Sequence, residues 1–307
     1  MKLYRSAFTK TEHASAVALG CFDGVHIGHS EIIKSAVKKA HEHSLTSVVW
    51  SFEAPPKSFF TKDPDSQSAL LTPLSEKREL IKNLGADVLI SVKFDEKIAR
   101  LSPREFFTAI LIKRLNAKYI FCGFNYRFGH KGSGDVTLLQ KLCEEFSVTL
   151  CVVDEIKLDG VTVSSSAIRS YLSAGDVEKA QKMLGRPFFL KGKVKDGQHL
   201  GRTLGFPTIN QDVANDKLLI KNGVYFTKVS LNGKTKYGIT NIGMRPTVNG
   251  KYPVCETHIL DFNENLYGKT VTVEFLKFLR SEKKFSSLEE LTAQVHTDID
   301  IAKKYIE

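Results

Sequence analysis

No apolar run in the 307-residue chain approaches the roughly 18 residues that a membrane-spanning helix requires, so no span is expected. The opening Met1-Lys2-Leu3-Tyr4-Arg5 lacks the apolar region of a secretory signal. Cysteine is scarce. The five residues Cys21, Cys122, Cys143, Cys151 and Cys255 are odd in number and form no CxxC pair, which argues against a disulfide framework and a cysteine-held zinc. Cys21, Cys122 and Cys151 lie in or beside apolar runs and are expected to act as small buried hydrophobes. The expected compartment is the reducing cytoplasm. Internal repeats and low-complexity tracts are missing too. So is a basic tail: the densest basic runs, such as Lys38-Lys39 and Lys283-Lys284, are pairs, and no nucleic-acid partner is expected. Basic charge itself is plentiful, with 44 Lys and Arg against 34 Asp and Glu, a net +10. Most lysines should cover solvated helix faces, but the excess suits an anionic ligand such as a nucleotide. Ordinary hydrophobic and charged fractions, 42% and 25%, mark a globular chain long enough for two domains.

Residues 16–153 alternate strand-like runs (Ala16–Leu19, Ser47–Phe52, Val88–Val92, Tyr119–Cys122, Thr149–Val153) with amphipathic segments (Ser30–His43, Ser75–Leu84, Pro103–Leu115, Val136–Phe146). This rhythm predicts a parallel sheet with helices on both faces and ligands at the carboxyl ends of its strands. The proline-containing stretch Glu53–Pro73 reads as a long loop at that edge. Short helices are predicted at Ser166–Ser173 and Val177–Leu184. Beyond Gly185-Arg186-Pro187, five runs rich in β-branched and aromatic residues (Phe188–Val194, Val224–Leu231, Lys236–Ile242, Val254–Leu260, Thr270–Phe278) follow without helices, some separated by Asn-Gly turns. They predict a small antiparallel barrel. Leu288, Leu291, Val295, Ile299, Ala302 and Ile306 recur at helical spacing, so a terminal helix should pack on it.

Three phrases carry the chemistry of the first half. Gly20-Cys21-Phe22-Asp23-Gly24-Val25-His26-Ile27-Gly28-His29 joins a strand to a helix. Backbone N–H groups at a helix start attract phosphate, and His26 and His29 add donors that can follow charge developing on it. Gly28 permits close approach of a nucleotide. The loop Gly123–Asp135 carries glycines, aromatics, Asn125 and Arg127. The third phrase, Ser164-Ser165-Ser166-Ala167-Ile168-Arg169, offers hydroxyls and a guanidinium to a polyphosphate.

Together these phrases resemble the HxGH nucleotidyltransferases, and more closely the FMN adenylyltransferase half of bacterial bifunctional riboflavin kinase/FAD synthetases. The resemblance covers about residues 1–185 and implies an α/β, Rossmann-like nucleotidyltransferase domain. It implies that His26 and His29 stabilise the adenylyl transition state. It further implies that Gly20, Phe22, Gly28, Ser165, Ser166 and Arg169 hold ATP, and that Asn125 and Arg127 place FMN. Cys21 stands where the family often has a polar residue, and Ser166 where Thr is common.

In the second half, Gly192–Asn210 is not a Walker loop, but it sets glycines and Arg202 ahead of Pro207-Thr208-Ile209-Asn210. Thr208 and Asn210 would project from one side of an extended segment and offer oxygen ligands suited to Mg²⁺. Glu256, in Cys255–Phe262, is the carboxylate set in a strand-like apolar run. With Asn241–Thr247 and Arg280–Phe285, these phrases resemble the riboflavin kinase domain over residues 186–307, a small antiparallel β-barrel with a terminal helix. The resemblance implies that Gly197, Gly201, Arg202 and Gly205 wrap the ATP phosphates and that Thr208 and Asn210 bind Mg²⁺–ATP. Glu256 would be the base for the ribityl hydroxyl, and Arg280 would contact flavin. Ile209 departs from the usual Ala. The implied ligands are riboflavin, FMN, FAD and ATP. Two other readings are an HxGH adenylyltransferase for pantetheine phosphate or nicotinate mononucleotide and a basic regulator that binds flavin or RNA and has lost catalysis. The barrel phrases oppose the first, and intact His26, His29, Thr208, Asn210 and Glu256 oppose the second.

Overall fold

Five-residue runs such as Ser15–Leu19 and Val88–Val92 are buried at every position, as strands covered on both faces must be. A computed structural model of the chain, describing residues 1–56, 69–195, 204–231, 233–247 and 250–306, shows how they assemble. The strands β1 (Lys2–Tyr4), β2 (Ser15–Leu19), β3 (Thr46–Phe52), β4 (Val88–Val92), β5 (Ala117–Gly123) and β6 (Thr149–Val153) form one sheet in the order β1-β4-β3-β2-β5-β6. Every pairing in it is parallel. One face packs on α1 (Ile27–Glu42) and α2 (Leu74–Asn83) through Ile33, Ala36, Ala40 and Ile81. The other packs on the segment Phe106–Leu115 and on the helix Val136–Glu145 through Phe107, Ile110, Leu139 and Leu142. This is the two-faced α/β layer predicted from the sequence.

Two details differ. The helix expected over Pro103–Leu115 begins with a capping box at Ser102 and Glu105, then winds as a π-helix over Phe106–Ile112. Phe106 meets Trp50 edge-on, with ring centroids 5.1 Å apart, and Phe107 meets Phe146 at 5.5 Å. The wider turn accommodates both aromatic anchors on the core side. Within the expected loop Glu53–Pro73, residues 57–68 lie outside the described ones, whereas Leu70, Leu71 and Thr72 are buried.

A short antiparallel pair, β7 (Lys157–Leu158) and β8 (Val161–Thr162), follows. The strands β9 (Phe188–Lys195), β10 (Thr208–Asp212), β11 (Gly223–Leu231), β12 (Lys234–Thr247), β13 (Gly250–Ile259) and β14 (Thr270–Arg280) form a closed barrel in the order β10-β13-β12-β11-β14-β9. Alternation decides what each residue faces. Tyr225, Thr227, Thr240, Thr257, Val271 and Val273 are buried on the inner set. There the hydroxyls of Thr227, Thr240 and Thr257 hydrogen-bond in series at 2.8 and 2.9 Å. Val224, Phe226 and Ile239 belong to the outer set and pack against Ala302 of the terminal helix Leu288–Lys303. Leu288 and Ile306, expected on that helix's packing face, are exposed instead. Gly192 is required at the crossing of β9 and β10, where a Cβ would lie 2.1 Å from the Asp212 carbonyl oxygen.

By compactness, residues Met1–Ser165 with Asp216–Leu218 form one unit, and Ser166–Asn215 with Leu219–Glu307 form the other. The helices Ser165–Ala174 and Val177–Leu184 thus group almost entirely with the barrel, the second packing on β14 and β9. Cys122, Cys143 and Cys255 are buried, Cys21 and Cys151 are half-buried, and none of the five forms a disulfide among the described residues.

Candidate active sites

In the first unit the loop after β2 ends at His26, the N-cap of α1, whose Nδ1 accepts the His29 backbone N–H at 3.2 Å. Three-residue spacing across a cap brings the two rings together, stacked with centroids 3.5 Å apart. A neutral His26 accepting at Nδ1 carries its proton on Nε2 and is a donor there. His29 is half-buried, and its Nδ1 is buried without a hydrogen-bond partner. Burial, then the charges of His26 and Lys77, hold its pKa well below the ordinary 6.5, so the ring is neutral at pH 7.

The loop is held from below. Phe22, at φ +52°, turns its ring into the core and meets His29 edge-on at 5.3 Å. Only a glycine fits at position 20, because a Cβ there would lie 2.8 Å from the Phe22 ring. Phe22 therefore has only its backbone to offer a nucleotide. Asp23 accepts the Leu71 and Thr72 amides at 3.3 and 3.1 Å, and the Gly24 amide donates to the Thr72 hydroxyl at 2.9 Å. Lys77, fully buried, donates to the carbonyls of Cys21 and Phe52 at 3.1 and 2.8 Å. Burial lowers its pKa. Ser165 donates to the Asp23 carbonyl at 2.8 Å, fixing the start of its helix to the same loop. Ser166 is exposed and Arg169 half-buried on that helix. In the loop after β5, Asn125 and Arg127 are exposed, Arg127 making only a 3.8 Å ion pair with Asp135. Of the aromatics there, Phe128 is buried in the core, Tyr126 stacks on it, and Phe124 stays exposed.

In the barrel, strand register assembles a row. Asn210 of β10 pairs with Glu256 of β13, Glu256 with Asn241 of β12, Asn241 with Val224 of β11, and Val224 with Arg280 of β14. The row two residues away on the same face is Thr208, His258, Ile239 and Phe226. Thr208, Asn241, Glu256, His258 and Arg280 line a cavity of about 230 Å³ bounded by Leu291 and Val295 of the terminal helix. Arg280 is fixed by a bidentate pair with Asp298, at 2.7 Å from Nη2 and 2.9 Å from Nε, and lies over the Phe285 ring. A second cavity of about 510 Å³ is lined by Pro207, Thr208, Thr257, Asn263, Asn265 and Tyr267 among others. Thr208 borders both. Gly205, at φ +87°, has open space around it, whereas Gly197, Gly201 and Arg202 lie outside the described residues.

Register thus brings Thr208, Asn210, Glu256 and Arg280 onto one face. The sequence did not single out Asn241, His258, Asp298 or Lys77. Asp298 was legible as an acid at the apolar spacing of Leu291, Val295 and Ala302. Among the described residues no cluster of three or more His, Cys, Asp or Glu could hold a metal. The hydroxyl of Thr208, the amide of Asn210 and the carboxylate of Glu256 are hard oxygen donors, which fits Mg²⁺ bound together with substrate phosphates.

A sequence profile described as FAD synthetase matches residues 8–167, and one described as riboflavin kinase matches residues 184–306. The chain is similar to the bifunctional riboflavin kinase/FMN adenylyltransferase of Bacillus subtilis, at 39% identity over 301 residues, 96% of this chain and 94% of the relative. The enzymes of the same description from Haemophilus influenzae (36%, 94% of each chain) and Escherichia coli K12 (35%, 99% and 98%) are also similar. A crystal structure described as a macrolide-efflux protein from Streptococcus pneumoniae matches with a TM-score of 0.90 at 30% identity, covering 99% of both chains.

Proposed function

Because the chain belongs to the family of bifunctional riboflavin kinase/FMN adenylyltransferases, it phosphorylates riboflavin to FMN and adenylylates FMN to FAD, and we propose that each reaction has its own site among those described above. We assign adenylyl transfer to residues 1–185 and phosphorylation to residues 186–307, both in the cytoplasm, where ATP is available and thiols stay reduced.

In the kinase half, the flavin occupies the smaller cavity beside Arg280, Leu291 and Val295, and ATP enters the larger one past Gly205. The single observation that supports this reading is that Thr208 borders both cavities; on this reading the γ-phosphate meets the ribityl hydroxyl beside it. Glu256 takes the proton of the 5′-hydroxyl as its oxygen bonds to the γ-phosphorus and ADP departs. Asn210 and Asn241, opposite Glu256 on either side, orient that carboxylate. Thr208 and Asn210 would hold Mg²⁺, which when bound neutralises charge on the phosphoryl oxygens. Gly197, Gly201 and Arg202 would complete the phosphate loop.

In the adenylyltransferase half, an oxygen of the FMN phosphate bonds to the α-phosphorus as its bond to pyrophosphate breaks. His26 and neutral His29 donate to the oxygens that gain charge, and Gly28 and the α1 N-terminus receive the phosphate. Asn125 and Arg127 would meet FMN, and Ser165, Ser166 and Arg169 the β- and γ-phosphates of ATP. Efflux is not carried over from the pneumococcal structure. Among the described residues no helix is long and apolar enough to cross a membrane.

The test is a pair of rates on one purified protein. Glu256→Gln should lose most FMN formation and keep FAD formation from supplied FMN. His29→Ala should do the reverse, with FAD formation down roughly a hundredfold or more, as for loss of a positioned donor. Either variant losing neither activity returns that residue to a structural role.

A further inference from the structure

Asp216–Leu218 lie far along the chain, between β10 and β11, yet they belong to the first unit. Lys217 forms a parallel bridge with Leu70: the Leu70 amide donates to the Asp216 carbonyl at 2.6 Å, and the Leu218 amide to the Leu70 carbonyl at 2.8 Å. The Lys217 side chain is almost wholly buried, with residue exposure of 4%. Its Nζ donates to the Leu71 carbonyl at 2.9 Å and to Glu76 Oε2 at 2.5 Å. Glu76 is itself buried, at 6% exposure. An ammonium is costly to bury unless every contact is made, so this placement must be specific.

Both partners lead to the loop that carries the histidines. The Leu71 and Thr72 amides donate to Asp23, and Thr72 also caps the Gly24 amide. Glu76 precedes Lys77, whose ammonium ties down the Cys21 carbonyl. Cys21 and Asp23 flank Phe22, the ring beneath His29. We propose that Lys217 is a positioning residue for adenylyl transfer, supplied by the half of the chain that otherwise forms the kinase barrel. It touches no reacting atom; it fixes Leu71 and Glu76, and through them the height of the Gly20–His29 loop. The proposal rests on the assignment of adenylyl transfer to that loop.

Three full-length variants test it. Lys217→Met takes the ammonium away from buried Glu76, so it should unfold at lower temperature. It should also lower kcat for FAD formation from FMN by roughly tenfold to a hundredfold, the scale of a 1 Å misplacement, with KM for FMN and kinase turnover near wild type. Combining Lys217→Met with Glu76→Leu replaces the ion pair by apolar groups and should restore the unfolding temperature but not kcat, because the Leu71 carbonyl still lacks its donor. Recovery of kcat in the double variant overturns the proposal, as does wild-type kcat in the single one. A double variant that fails to fold overturns it too, since the pair would then serve the fold alone. His29→Ala separately tests the loop assignment: FAD formation at the wild-type rate there removes the site itself, whatever Lys217 does.

Discussion

Asp298→Ala is the perturbation whose size the structure defines best. Asp298 holds Arg280 by two parallel hydrogen bonds and also accepts from Gln294 at 3.1 Å. Its side chain is 2% exposed and that of Arg280 22%, so removal of the carboxylate leaves a partly buried guanidinium without its partner. Breaking a fully buried pair from one side costs roughly 3–5 kcal/mol, and partial access of water to Arg280 places this case near the lower end, about 3 kcal/mol. For a unit of this size, about 3 °C per kcal/mol gives a fall of about 9 °C in the barrel's melting temperature. Arg280, Leu291 and Val295 also wall the smaller cavity, so loosening the terminal helix should raise KM for riboflavin roughly tenfold, or about 1.4 kcal/mol. The assay is calorimetric unfolding together with riboflavin phosphorylation and, as an internal control, FAD formation from FMN, which should be unchanged. An unfolding temperature within about 2 °C of wild type, or an unaltered KM, would refute the reasoning.

His29 gives a pH dependence. Its native pKa lies well below 6.5, so as pH falls beneath about 6.5 the unfolded ring binds a proton that the native ring refuses. Stability should therefore be flat above about pH 7 and fall toward pH 5, and His29→Gln should reduce that slope in denaturant unfolding measured across the range. Gly192→Ala should push β9 from β10, costing about 1–3 kcal/mol as an overpacked substitution, and should lower kinase activity while sparing adenylylation. Equal stability of that variant in urea would show that the crossing has slack.

Much of the fold was legible because the two halves have different periods. Val88–Val92 is both the expected and the observed strand, and its continuous burial follows from helices on both faces. Thr208 and Asn210 were expected on one side of an extended segment, and β10 is that segment. What was not legible depended on pairing across long separations. Nothing local marks Asn241 as the neighbour of Glu256, since only register sets it there. Lys2–Tyr4 is too short to show a pattern and becomes a strand only by pairing with β4. Phe106–Ile112 reads as a helix by composition, but its π turn answers to Trp50 and Phe146, residues the local pattern does not contain.

The bridge at Lys217 also bears on how the chain is made. Glu76 leaves the ribosome 141 residues before its partner, which at 5–20 residues per second is a wait of roughly 7 to 28 s. By the end of that interval the first six strands have emerged, yet the buried Lys217 ammonium that Glu76 meets in the finished fold has not. The nascent first unit should hold Glu76 and the Leu70–Thr72 segment open to water and close them only when Lys217 emerges. Arrested chains ending shortly before and well after that residue should differ in protease cleavage near Leu70. Synthesis of the barrel would then be the step that finishes the adenylyltransferase, tying the onset of the second reaction to the making of the first.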